Sequence, residues 1–128
     1  MRRVLLTLSA LLALGAAPAG AHHSGALFYG QDQPISLTGV VTRFSFRNPH
    51  AIVELQVTDD KGEVQRWTAE TAAPSALRRR GWSQESLMPG ETVTLEGFRA
   101  RDGTLLMRIT KVTRADGSDV GVPRGVSE

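Results

Sequence analysis

The chain has 128 residues, with 15 basic and 13 acidic side chains, three histidines and no cysteine. Without cysteine there is neither a disulfide framework nor a thiolate metal site, so the fold must stand on its own apolar core. A chain of this size buries roughly 60–70% of its unfolded surface, enough for one domain and hardly two.

Arg2 and Arg3 precede an uncharged run from Val4 to Ala17, followed by the small residues Ala19-Gly20-Ala21. A basic start, an apolar middle and an Ala-x-Ala end predict a secretory signal over residues 1–21. The run is shorter than the ~20 apolar residues a membrane-spanning helix needs. The expected product is periplasmic or secreted, with no membrane anchor. Removing Arg2 and Arg3 brings the basic residues level with the acidic ones, and a nucleic-acid role resting on net charge loses its support.

Residues 22–34 contain Gly25, Gly30, Gln31, Asp32 and Gln33 around an apolar patch at Leu27-Phe28-Tyr29, and read as an irregular N-terminal arm. From Ile35 to Arg47 the chain alternates with period two, which predicts a strand, bent at Gly39. Asn48-Pro49 ends it, since proline cannot donate to a ladder. Ala51–Thr58 and Val64–Glu70 form the next two strands around an Asp59-Asp60-Lys61-Gly62 hairpin loop. Pro74–Arg80 changes period and predicts a short helix stopped by Gly81, with a further turn capped by Ser83. Two strands follow, Glu91–Arg99 and Leu105–Val112, and residues 114–128 read as a flexible tail. Three strands, a helix and two strands over residues 35–113 predict a mainly β fold, a small five-stranded OB-like barrel with one short helix between strands 3 and 4.

The candidate chemistry is nitrogen. Cleavage after Ala21 would leave His22 first, followed by His23 and Ser24. The α-amine, with an ordinary pKa near 7.7–8.0, yields its proton to a metal at modest cost near neutral pH. Amine and imidazole nitrogens on one residue form a chelate suited to copper(II), which tops the affinity series for such ligands and accepts square-planar geometry. The third histidine, His50, sits at the corner after Asn48-Pro49. The amine, the His22 ring and the His50 ring would make a three-nitrogen site; His23 could replace His50. The arm from His22 to Pro34 can extend roughly 40 Å, at about 3.3 Å per residue, so reach does not choose between them. A corner histidine also commonly just bonds a backbone carbonyl.

Other residues carry less. No pair of acids has spacing that demands acid–base catalysis, and Ser24 beside His23 lacks a fixed geometry and an orienting third group. Arg78-Arg79-Arg80 reads as a solvated face, and Trp67, Trp82, Phe44 and Phe46 as packing rather than a base-stacking platform.

Ala21-His22-His23-Ser24, Leu37-Thr38-Gly39-Val40-Val41, Asn48-Pro49-His50, Trp67, Pro74-Ser75-Ala76-Leu77-Arg78-Arg79-Arg80-Gly81-Trp82 and Leu87-Met88-Pro89-Gly90-Glu91 together resemble the bacterial exported proteins of domain-of-unknown-function family 6152. The resemblance implies that His22, His23 and His50 fall on that family's His-His-Ser and Asn-Pro-His motifs, and it brings no activity with it. Gly25 stands where the family usually has phenylalanine and Gly30 where it has aspartate, leaving Asp32 to serve if that acid orders the arm. The expectation is therefore a non-enzymatic exported barrel that binds copper, or a similar divalent metal, through its processed terminus. The alternative is a non-metal binding module of OB type, holding a periplasmic protein, peptide or glycan partner and insensitive to chelators. A copper redox enzyme is the least supported reading, because nothing marks a substrate face.

Overall fold

Five strands and one short helix follow one another in the expected order across residues 28–121, the part of the chain that the computed structural model describes. They are β1 (Tyr29–Ser45), β2 (Ile52–Thr58), β3 (Val64–Glu70), α1 (Pro74–Arg78), β4 (Thr92–Ala100) and β5 (Leu106–Arg114). The strands close into a barrel in the order β1-β2-β3-β5-β4. All pairings are antiparallel except β3 with β5, which is parallel and only three residue pairs long, from Thr68↔Leu106 to Glu70↔Arg108. This is the OB-like barrel that the element order predicts.

Closure depends on β1. Its first part pairs with β4 and its last part with β2, so one strand serves both neighbours of the seam. Gly39 lies where the two pairings meet, and a Cβ there would sit 2.5 Å from the Gln56 carbonyl oxygen. Close backbone approach is what requires glycine at this position. A bulge between Val41 and Arg43 then shifts the register. Strict alternation puts Val41 and Phe44 on opposite faces; the extra residue lets both turn inward. Val41 is buried, and Phe44 packs on the core with its ring 6.0 Å from that of Trp82.

The alternating inward residues of β2, β4 and β5 fill the barrel: Val53, Leu55, Val93, Leu95, Met107 and Val112 are all essentially inaccessible. Trp67 and Trp82 are buried too, as packing residues rather than an exposed stacking surface.

Four segments differ most from the sequence expectation. β1 starts at Tyr29, inside the stretch read as an irregular arm, because Tyr29 pairs with Ala100 and is itself buried. The helix stops at Arg78, with Gly81 (φ +79) completing the reversal. The Ser83 segment is a hydrogen-bonded turn outside the helix: Ser86 Oγ accepts from the Ser83 amide at 2.7 Å, and Ser83 Oγ caps it by accepting from the Glu85 amide at 3.2 Å. Finally, the start of the tail folds back on β5. The Arg114 amide donates to Ser118 O, the Val120 amide donates to Val112 O, and Val120 is buried.

One contact is a sharp test of this packing. At the β4–β5 register shift, a Cβ on Gly97 would stand 1.9 Å from the carbonyl oxygen of Arg108. Backbone cannot yield as a side chain can. Gly97→Ala should cost about 3 kcal/mol, read as a lower urea midpoint with unchanged slope.

Candidate functional site

The hairpin of β2 and β3 sets the geometry around His50. The ladder runs from Thr58↔Val64 to Ile52↔Glu70. His50 precedes Ile52 by two residues, so its ring lies on the Glu70 side and diagonal to it. The Nδ1 atom of His50 is 2.5 Å from Glu70 Oε1. Glu70 also faces Arg108, its partner in the parallel pair, whose Nη1 donates to the same Oε1 at 3.1 Å. On the other oxygen, the Tyr29 hydroxyl donates to Oε2 at 2.8 Å.

One carboxylate therefore collects three donors from three other places: the start of β1, the corner before β2, and β5. The Glu70 side chain is 21% exposed, against 42% for His50, so the acid is sheltered while the ring reaches solvent. A carboxylate accepts only, so the contacting Nδ1 must carry hydrogen. If the ring is neutral, Nε2 then holds the lone pair. Among the described residues Nε2 has no hydrogen-bond partner. A ring whose Nδ1–H is held by a carboxylate is the usual second-sphere arrangement of a metal-ligating histidine.

Tyr29 is tuned by the same acid. Burial pushes its phenol well above the ordinary value, and the hydrogen bond and charge of Glu70 push it further, against a smaller opposing effect of Arg108.

Of the sequence candidates, the structure places His50 in this network. His22 and His23 lie outside the described residues. Among those described, no group of three or more histidine, aspartate or glutamate side chains is arranged to hold a metal. Nδ1 of His50 is engaged with Glu70, so His50 can offer one nitrogen and no more.

Sequence reading missed Glu70, Tyr29 and Arg108. The signal for Glu70 was present in the hairpin: once Thr58 faces Val64, counting back pairs Ile52 with Glu70 and sets the acid diagonal to His50. Arg108 and Tyr29 had no such local mark, since they arrive through the parallel pair and the β1–β4 seam.

The chain belongs to the family of unknown function DUF6152, whose model matches residues 10–107. No curated protein matches it. Among solved structures it is similar to the mitochondrial single-stranded DNA binding protein Rim1 from S. cerevisiae. The TM-score is 0.50 at 12% identity, over 65% of this chain and 93% of that one. It is also similar to a ZRD-deleted mutant of TiaS in complex with agmatine, with a TM-score of 0.46 at 15% identity, over 70% of this chain and 24% of that one. The first likeness supports the OB-like fold alone; the second is too loose to support anything further.

Tyr29 is the single tyrosine of the chain, so phenolate absorbance reports it alone. Its phenol titrates higher folded than unfolded, so this contribution to stability is intact below about pH 10 and is lost as pH rises beyond it. Phenolate should therefore appear together with alkaline unfolding rather than before it. Stability of Tyr29→Phe should fall less steeply above pH 10, measured by urea denaturation across the alkaline range.

Proposed function

We propose that this protein is an exported, non-enzymatic β-barrel that binds copper, or a similar divalent metal, through its processed N-terminus together with His50. His22 would supply the α-amine and a ring nitrogen, and His50 Nε2 the third nitrogen; His23 is the substitute for His50. The observation that carries this reading is the Glu70–His50 contact, which orients the ring and turns Nε2 outward. Tyr29 adds to it, because its bond to the same acid anchors the arm beside that ring. His22 stands seven residues before Tyr29, a reach of roughly 23 Å at about 3.3 Å per residue.

The donor set favours nitrogen-loving metals. The network's one carboxylate is already held by Tyr29, Arg108 and His50, and a nitrogen donor set disfavours magnesium or calcium.

A nucleic-acid reading drawn from the DNA-binding neighbour has less behind it. OB-type strand binding stacks bases on exposed aromatic rings. Here Trp67 and Trp82 are buried, and Phe44 and Phe46 pack on the core.

Intact mass of the exported product should give His22 as its first residue. Copper titration should then show His22→Ala abolishing tight binding and His50→Ala weakening it strongly. Glu70→Gln, which leaves every ligand in place, should weaken it by about tenfold or more. Unchanged affinity in His22→Ala would remove the proposal, and unchanged affinity in His50→Ala would transfer the third position to His23.

A further inference from the structure

A second region of the barrel has features that the metal reading does not use. Beyond Glu70 the chain leaves the sheet for α1, so the parallel β3–β5 pair ends at Arg108 while β5 runs on. The gap this leaves is a cleft of about 500 Å³ between the segment after α1 and the free flank of β5. That size lies within the range of small-molecule sites, roughly 300–1,000 Å³. None of its wall residues belongs to the Glu70 network.

The walls are amphipathic. Leu77, Ile109 and Val120 give an apolar floor, all three buried. Trp82 lines the cleft and is only 8% exposed, yet its indole N–H has no hydrogen-bond partner among the described residues. Its Nε1 edge faces Gly121, another wall residue, so closely that a Cβ there would overlap the ring. Among the described residues no side-chain nitrogen or oxygen is both sealed and unpartnered, so this N–H keeps solvent access and is free to donate to a ligand's acceptor.

Charge selects the acceptor. Two cations and one acid stand at the rim: Lys111 is paired with Asp119 at 3.5 Å, whereas Arg80 makes no ion pair among the described residues. One uncompensated guanidinium suits a single negative charge better than a phosphate dianion.

We propose that this cleft binds a small organic monocarboxylate, its carboxylate taken by Arg80 and the Trp82 indole N–H and its apolar body laid on Leu77, Ile109 and Val120. Arginine offers a planar fork matched to a carboxylate, and the indole N–H adds a second, directional bond.

The test uses acetate, butyrate and phenylacetate as probes, followed by nuclear magnetic resonance of the two indole N–H protons. Trp67 is the internal reference, since its Nε1 already donates to Gln65 at 3.2 Å. The Trp82 signal should shift saturably, most tightly for phenylacetate, while the Trp67 signal stays still. Phenylacetamide should bind at least about tenfold more weakly, and Arg80→Gln, a change on the exposed surface, should cost phenylacetate about tenfold. Trp82→Phe keeps the ring and should weaken phenylacetate as well. Absence of a saturable Trp82 shift with all three acids, or equal binding of acid and amide, would overturn the proposal.

Discussion

A carboxylate that three donors share, in a setting that water only partly reaches, constrains everything around it. Glu70 ends β3, and its oxygens take Arg108 and His50 on one side and Tyr29 on the other. The parallel β3–β5 pair it closes is the shortest of the barrel's seams, so the Glu70–Arg108 contact stands where backbone pairing supplies least. Removing the acid would strand a guanidinium and a phenol in the same half-buried place, and leaving a partly buried charge unmatched costs more than the pair contributes. The same carboxylate that meets Arg108 at the seam also engages Nδ1 of His50 and leaves Nε2 without a partner among the described residues. The seam and the orientation of the ring thus rest on one side chain.

Much of the barrel was legible because it follows from local rules. Period-two alternation marked the first two strands, turn residues such as Asp59–Gly62 bounded the others, and Pro74 with Gly81 bracketed the helix. What stayed hidden was non-local. The bulge between Val41 and Arg43 reverses the facing of Phe44, and no single residue there announces it. Tyr29 belongs to a strand only because Ala100 lies opposite, a pairing across about seventy residues of chain. The network was partly recoverable, since hairpin arithmetic sets Glu70 beside His50, whereas Arg108 joins it only through the crossover that makes β3 and β5 parallel.

The division between interior and rim explains why fold and family say so little about activity. Both tryptophans and most aliphatic residues are spent on closing the barrel, and the likeness to a DNA-binding protein is a likeness of that closed frame. Function on such a scaffold lies in what the ends and seams present. Here the end of β3 presents two different things: a sheltered acid beside an imidazole at Glu70, and past it a cleft lined by an indole whose N–H has no acceptor among the described residues. Both arise because β3 leaves the sheet early while β5 continues.

In the metal reading, anchoring of the arm matters in a way that a length estimate alone misjudges. Counting from Pro34, twelve residues tether His22; counting from Tyr29, seven do. Loop-closure entropy scales as 1.5RT times the logarithm of length, so the shorter tether gains only about 0.5 kcal/mol, or roughly twofold in effective concentration. The larger consequence is directional. Tyr29 is held on the very carboxylate that holds His50, so the first strand begins on the same acid that engages the imidazole. A single exposed imidazole is a weak ligand, and chelation is what would raise its affinity. The Tyr29–Glu70–His50 chain of contacts therefore gives the proposal its physical content, since it makes one structural unit of the tether's origin and the ligand's orientation.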